Sequence, residues 1–178
     1  MANQLSAQDW LDRGLKVLAT RGFSALKAEP LAKAMGVSRG SFYWHFADIG
    51  AFHAAVLKCW HEVAAEAIIA NVEAAAGHDD PLAVLLRQVF SEKLALERAV
   101  RSWAAFDAAA KSAVQAIDRR RLDYVEGLIR ARGVAPGMAE ARAHILYWAF
   151  LGYALSDKPL ARAQREAVLA ELIRIATL

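Results

Sequence analysis

From Arg39 to His45 the chain carries an arginine, a serine, a tyrosine, a tryptophan and a histidine within seven residues. An arginine can donate bidentate bonds to a guanine edge, and hydroxyl and imidazole groups can donate to phosphate oxygens. Gly40 takes away a side chain and so leaves room for another backbone to come close. These are the parts of a helix that reads a major groove.

Such side chains need a scaffold that holds them outwards. The segment Leu26 to Phe46 reads LKAEPLAKAMGVSRGSFYWHF. It predicts two short helices, Ala28 to Met35 and Arg39 to His45, split by Gly36-Val37-Ser38. A tight turn with a glycine between two short helices is the pattern of a helix-turn-helix. Ala32 and Ala34 are small enough for a close crossing, and Leu31, Met35, Val37, Phe42 and Phe46 supply buried contacts that fix its angle. Upstream, Ser6 caps a first helix over Ala7 to Thr20, with Asp9 three residues on. Downstream, Asp48 caps a long fourth helix expected to run to Ala76.

AKAMGVSRGSFYWHF resembles the DNA-binding signature of the TetR family, roughly IA-x-x-x-GVS-x-G-x-x-Y-x-HF. The layout of the chain is also similar. The resemblance implies that Arg39 and Trp44 approach base edges, beside Gly40, which the residues alone mark as a point of close approach. It implies that Ser38, Ser41, Tyr43 and His45 contact phosphates, and that Lys33 adds a backbone contact. Two positions depart from the family. Lys27 stands where a Thr or Ser commonly precedes the second helix. Ala47, Ile49 and Gly50 stand where a Lys commonly opens the fourth. Lys27 and Arg13 are the candidates to compensate. The rival for Trp44 is packing against the body.

Family members differ beyond this module, so the body, Phe52 to Leu178, is read alone. Trp60, Trp103, Phe106, Tyr124 and Trp148 are candidates for a small-molecule pocket, with ordinary core as the alternative for each. Arg119-Arg120-Arg121, beside Asp118, Asp123 and Glu126, reads as a solvated, salt-bridged face. Ile145, Ala149 and Gly152, followed by Leu169, Leu172 and Ile173, recur at helical spacing. In the family the last two helices pair with their mates, so these six are the candidate dimer interface.

The remaining features bound the answer. The chain has 178 residues and a net charge of +3, and its 57% hydrophobic content is enough for a real core. The expected class is all-α: an N-terminal three-helix helix-turn-helix module plus a C-terminal helical regulatory and dimerisation bundle, about nine helices. The expected domains are 1–47 and 48–178. Cys59 is alone, which forbids an intrachain disulfide and suits a reducing cytoplasm. No secretory signal is expected, because Met1 to Gln8 has no basic start and no apolar stretch. The longest apolar run, Ile145 to Leu155, falls short of the roughly 20 residues a bilayer needs. There is no phosphate loop, nucleophile elbow or HExxH pair, so no enzyme is expected. His53 and His61, with Glu62 and Glu66 nearby, are the nearest thing to a metal site; no metal or cofactor is expected. The expected partners are double-stranded DNA with a palindromic operator, a second copy of the chain, and a small apolar or aromatic effector of unknown identity, but no membrane. The expected function is a ligand-responsive, sequence-specific DNA-binding transcription regulator, a repressor released from its operator by that effector. The alternative is a helical interaction and dimerisation module with weakened DNA binding.

Overall fold

The computed structural model describes residues 5–77, 79–90, 94–158 and 160–177. Met1–Gln4, His78 and Pro159, which entered the sequence reading, lie outside them. Every named element is helical: α1 (Ala7–Arg21), a 3-10 turn (Phe23–Ala25), α2 (Ala28–Met35), α3 (Arg39–Tyr43), α4 (Ile49–His61), a π-helical turn (Glu62–Glu66), α5 (Ala67–Ala75), α6 (Pro81–Val89), α7 (Ala95–Ala104), α8 (Ala108–Arg130), α9 (Pro136–Leu155) and α10 (Arg162–Thr177). The all-α class is as expected. Among the described residues no helix is long and apolar enough to cross a membrane.

The chain divides into two compact units, Met1–Glu62 with Ala95–Val114, and Val63–Leu94 with Gln115–Leu178. The division does not fall at residue 47. The first unit takes in α4 and α7 because α1 packs on both.

In the first unit α1 begins on a capping box: the Asp9 backbone N–H donates to the Ser6 hydroxyl, and the Ser6 N–H donates to the Asp9 carboxylate at 2.7 Å. Trp10, Phe42, Phe46 and Phe52 interlock edge to face, with centroids 5.3 Å apart for Trp10–Phe42 and 5.0 Å for Phe46–Phe52. Gly14 allows α1 to approach α4, since a Cβ there would stand 2.8 Å from Phe52 Cζ. Trp103 of α7 stacks on Phe23 at 4.4 Å.

The second unit is built on Leu82, Leu86 and Phe90 from α6 and its end, Ile129 of α8, Leu146 and Phe150 of α9, and Leu172 of α10, all buried. Asp80 starts α6 by accepting from the Leu82 N–H, one residue before Pro81.

Two boundaries differ from expectation. The fourth helix does not run unbroken to Ala76; a π turn interrupts it at Glu62–Glu66. And α3 stops at Tyr43, two residues short of His45. Inside α7, Glu97 is buried and bonded to Arg101 one turn on at 2.7 Å.

Candidate nucleic-acid interface and a cavity in the second unit

The turn between α2 and α3 is set by Gly36, whose φ of 70° and ψ of 26° lie in the left-handed region that favours glycine. Its N–H closes α2 onto the Ala32 and Lys33 carbonyls. Ser38 then stands at the N-cap of α3 with extended backbone, but its hydroxyl makes no capping bond. Phe42 and Phe46 point into the core. Opposite them Arg39, Gly40, Tyr43 and Trp44 are exposed, and Ser41 and His45 are half-buried. Trp44 is 88% exposed, so it does not pack against the body.

Arg39 donates through Nη2 to the Tyr43 hydroxyl at 2.9 Å. This bond, with a smaller contribution from Glu29, pushes the guanidinium pKa further up. Lys27, Glu29, Pro30, Lys33, Arg39 and Tyr43 line one surface depression. Three cations therefore meet beside α3, with one carboxylate among them that sequence reasoning did not single out. Lys27, at the N-cap of α2, makes no capping bond and is exposed, as a compensating cation must be. Arg13 is placed otherwise: its Nε is enclosed within the first unit. At the start of α4 the Asp48 carboxylate accepts from the Ala51 N–H at 2.7 Å.

The five aromatics expected to form one pocket are not brought together. Trp60 and Trp103 are buried in the first unit, where His53 lies 5.6 Å from the Trp103 ring with its Nε2 2.9 Å from the Leu26 carbonyl. Phe106 is 68% exposed, and Trp148 is 63% exposed on α9. Tyr124 alone of the five lines a cavity of about 50 Å³ inside the second unit. Its other walls include Ala64, Ala65, Ile68 and Ile69 from the π turn and α5, Leu85, Leu86 and Val89 from α6, Arg121 and Val125 from α8, and Leu146, Tyr147 and Phe150 from α9. Helical spacing told which residues share a stripe but not which way the stripe faces.

Two arginines expected on a solvated face do other work. Arg120 donates through Nε and Nη2 to the two carboxylate oxygens of Glu66 at 2.9 and 3.0 Å. Arg121 donates through Nε and Nη2 to the Ala64 carbonyl at 3.3 and 3.0 Å. Both acceptors lie in the π turn, where backbone carbonyls lose their regular helical partners. No sequence signal pointed there, because the partners are more than fifty residues apart. Among the described residues no three His, Cys, Asp or Glu side chains converge to hold a metal ion.

On the outside of α9, Ile145, Trp148, Gly152 and Leu155 are exposed along one helical stripe, and Ala149 is half-buried beside them. On α10 Leu169 and Ile173 are half-buried. Leu172, expected at the dimer interface, sits in the core of its own subunit.

The description of bacterial regulatory proteins of the tetR family matches residues 11–56, which hold α2, the Gly36 turn, α3 and most of α1 and α4. Over this module the chain is similar to the TetR family. The HTH-type transcriptional regulator AcrR of Shigella flexneri is 42% identical over 45 residues, 25% of this chain and 21% of that protein. The match thus spans about a fifth of that relative's length. Two solved structures resemble the chain along nearly all its length. A transcriptional regulator of Rhodococcus sp. Rha1 has a TM-score of 0.75 at 20% identity, covering 97% of this chain and 94% of that one. A putative transcriptional regulator of Saccharomonospora viridis, in complex with choline, has a TM-score of 0.73 at 14% identity, covering 94% and 95%. At these identities the likeness is one of fold. TetR-family regulators are in general DNA-binding proteins rather than enzymes.

Proposed function

We propose that this chain is a ligand-responsive, sequence-specific transcription regulator, acting in the cytoplasm as a repressor. Residues 1–47 bind DNA, and the remainder dimerises and receives the effector. Two copies, paired through the exposed stripe of α9 and through α10, place their α3 helices on a palindromic operator with half-sites about 34 Å apart or more. A small molecule in the second unit's cavity releases the DNA.

The observation that carries the reading is the two-sidedness of α3. Phe42 and Phe46 are buried, while Arg39, Tyr43 and the 88% exposed Trp44 are turned out beside Lys27 and Lys33. An exposed tryptophan loses roughly 1.5–3 kcal/mol of burial, a cost that a partner surface can recover. The choline complex of the Saccharomonospora viridis regulator supports a ligand-receiving body in this fold.

Fluorescence anisotropy against the protein's own upstream DNA and a shuffled duplex, over a salt series, tests the reading. Specific binding should exceed non-specific by about 10³-fold or more and weaken steeply with salt. Equal, weak binding to both duplexes would favour an interaction module instead.

A further inference from the structure

We propose that the Tyr124 hydroxyl is the polar anchor for the molecule that enters the second unit's cavity, and that this molecule is uncharged, mainly apolar and bears a single hydrogen-bond acceptor. The inference rests on the effector reading above and narrows it to a ligand class.

The cavity wall is hydrocarbon except for three side chains, Arg121, Tyr124 and Tyr147. Two of them are engaged. The Tyr147 hydroxyl donates to the Asp118 carboxylate at 2.5 Å. Arg121 donates to the Ala64 carbonyl. The Tyr124 hydroxyl is enclosed and has no hydrogen-bond partner. An enclosed hydroxyl without a partner leaves its desolvation cost uncompensated, and a ligand acceptor placed against it recovers that cost. Burial pushes the Tyr124 pKa up, with Glu73 adding to the shift and Arg120 opposing it. The phenol therefore keeps its proton near neutral pH and can donate it.

Charge argues against a cation, and desolvation against any ion. No Asp or Glu stands among the lining residues, and a guanidinium does. A quaternary ammonium such as the choline of the Saccharomonospora viridis regulator would meet like charge with no carboxylate in the wall. An ion of either sign would also give up its hydration to a hydrocarbon surface.

Size adds a condition. About 50 Å³ is room for a few water molecules and less than one aromatic ring requires. A ligand therefore binds a state in which the wall has moved, and that wall includes Ala64 and Ala65 of the π turn. Preference for the opened state is what allows a ligand to shift a conformational equilibrium.

The test titrates the full chain calorimetrically with acetophenone, with α-methylstyrene, in which a CH₂ replaces the carbonyl oxygen, and with choline, each against wild type and Tyr124→Phe. Acetophenone should bind wild type about tenfold tighter than α-methylstyrene, by the worth of one buried hydrogen bond. Tyr124→Phe should erase that difference while leaving α-methylstyrene affinity unchanged or higher. Choline should not bind at millimolar concentration. Without ligand, Tyr124→Phe should melt a few degrees higher, because it removes an unpaired buried hydroxyl. Equal loss of both aromatic probes in the variant, or a lower melting temperature, would overturn the anchor. Tight choline binding would overturn the charge argument. If neither aromatic probe binds, the cavity is a packing gap and the inference falls. If acetophenone binds through Tyr124 yet leaves operator affinity unchanged, the anchor stands and the effector reading fails instead.

Discussion

Arg39 and Tyr43 lie one turn apart on α3, and the guanidinium of the first donates to the phenol of the second at 2.9 Å while standing 5.4 Å from its ring centroid. The pair orients an arginine that would otherwise sample many rotamers, with up to about 2 kcal/mol of side-chain entropy at stake. Arg39→Ala should cost about 1–3 kcal/mol of specific binding and relax preference at one base pair. Tyr43→Phe should weaken binding as well, through loss of its own contact and of the arginine's orientation. The double variant should lose clearly less than the sum. Anisotropy titrations of the four proteins on one operator measure the coupling, and strict additivity would show that the two side chains act separately.

Trp148 and Leu172 give opposite expectations although both belong to the last two helices. Trp148 is exposed on α9, so Trp148→Glu should leave helicity and melting nearly unchanged and yield monomers with weak operator binding. Leu172 is buried in its own subunit. Leu172→Glu should therefore unfold the second unit, by several kcal/mol, since it buries an unpaired charge. Light scattering with circular dichroism separates the two outcomes. A wild-type monomer at micromolar concentration would sink the dimer.

The π turn offers a comparison of bond types. The Arg120–Glu66 pair is 40% and 33% exposed at its side chains, so Glu66→Gln should cost no more than about 1 kcal/mol. Arg121→Met removes two charged donors from the half-buried Ala64 carbonyl and should cost about 1–3 kcal/mol. Urea unfolding of the two variants should rank Arg121→Met well below Glu66→Gln. The reverse order would mean that the ion pair, not the carbonyl clamp, holds the turn.

Tyr124 also sets an alkaline expectation. Its folded pKa lies above the ordinary phenol value of 10.0, burial being the main cause. Below pH 10 the phenol is neutral in both folded and unfolded chains, and its full contribution is present. Above pH 10 the unfolded chain ionises first, so stability is lost as the pH climbs through the raised folded value. Wild type should lose stability faster than Tyr124→Phe above pH 10, with parallel curves below it. Parallel curves throughout would show that the hydroxyl meets solvent.

The legible parts of the sequence were those whose cause is local. Ser6 and Asp9 form the capping box three residues apart, and Gly36 answers for its own backbone geometry. The two-sided pattern of α3 was readable because Phe42 and Phe46 must be buried somewhere near. The π turn was not readable. Glu62-Val63-Ala64-Ala65-Glu66 contains no helix breaker, and the arginines that hold it come from α8. The pocket failed for a related reason. Trp148 and Tyr124 are both aromatics on long helices, and only the neighbouring helices decide that Tyr124 faces inwards and Trp148 out. Leu172 shows the same ambiguity in reverse: its spacing matches an interface stripe, yet α10 turns it into the core.

The tight cavity has a kinetic consequence. A space of about 50 Å³ admits no ring until its walls part, so association waits on opening. The observed rate of ligand uptake should rise with ligand concentration and then level off at the opening rate, rather than climb towards the diffusion limit.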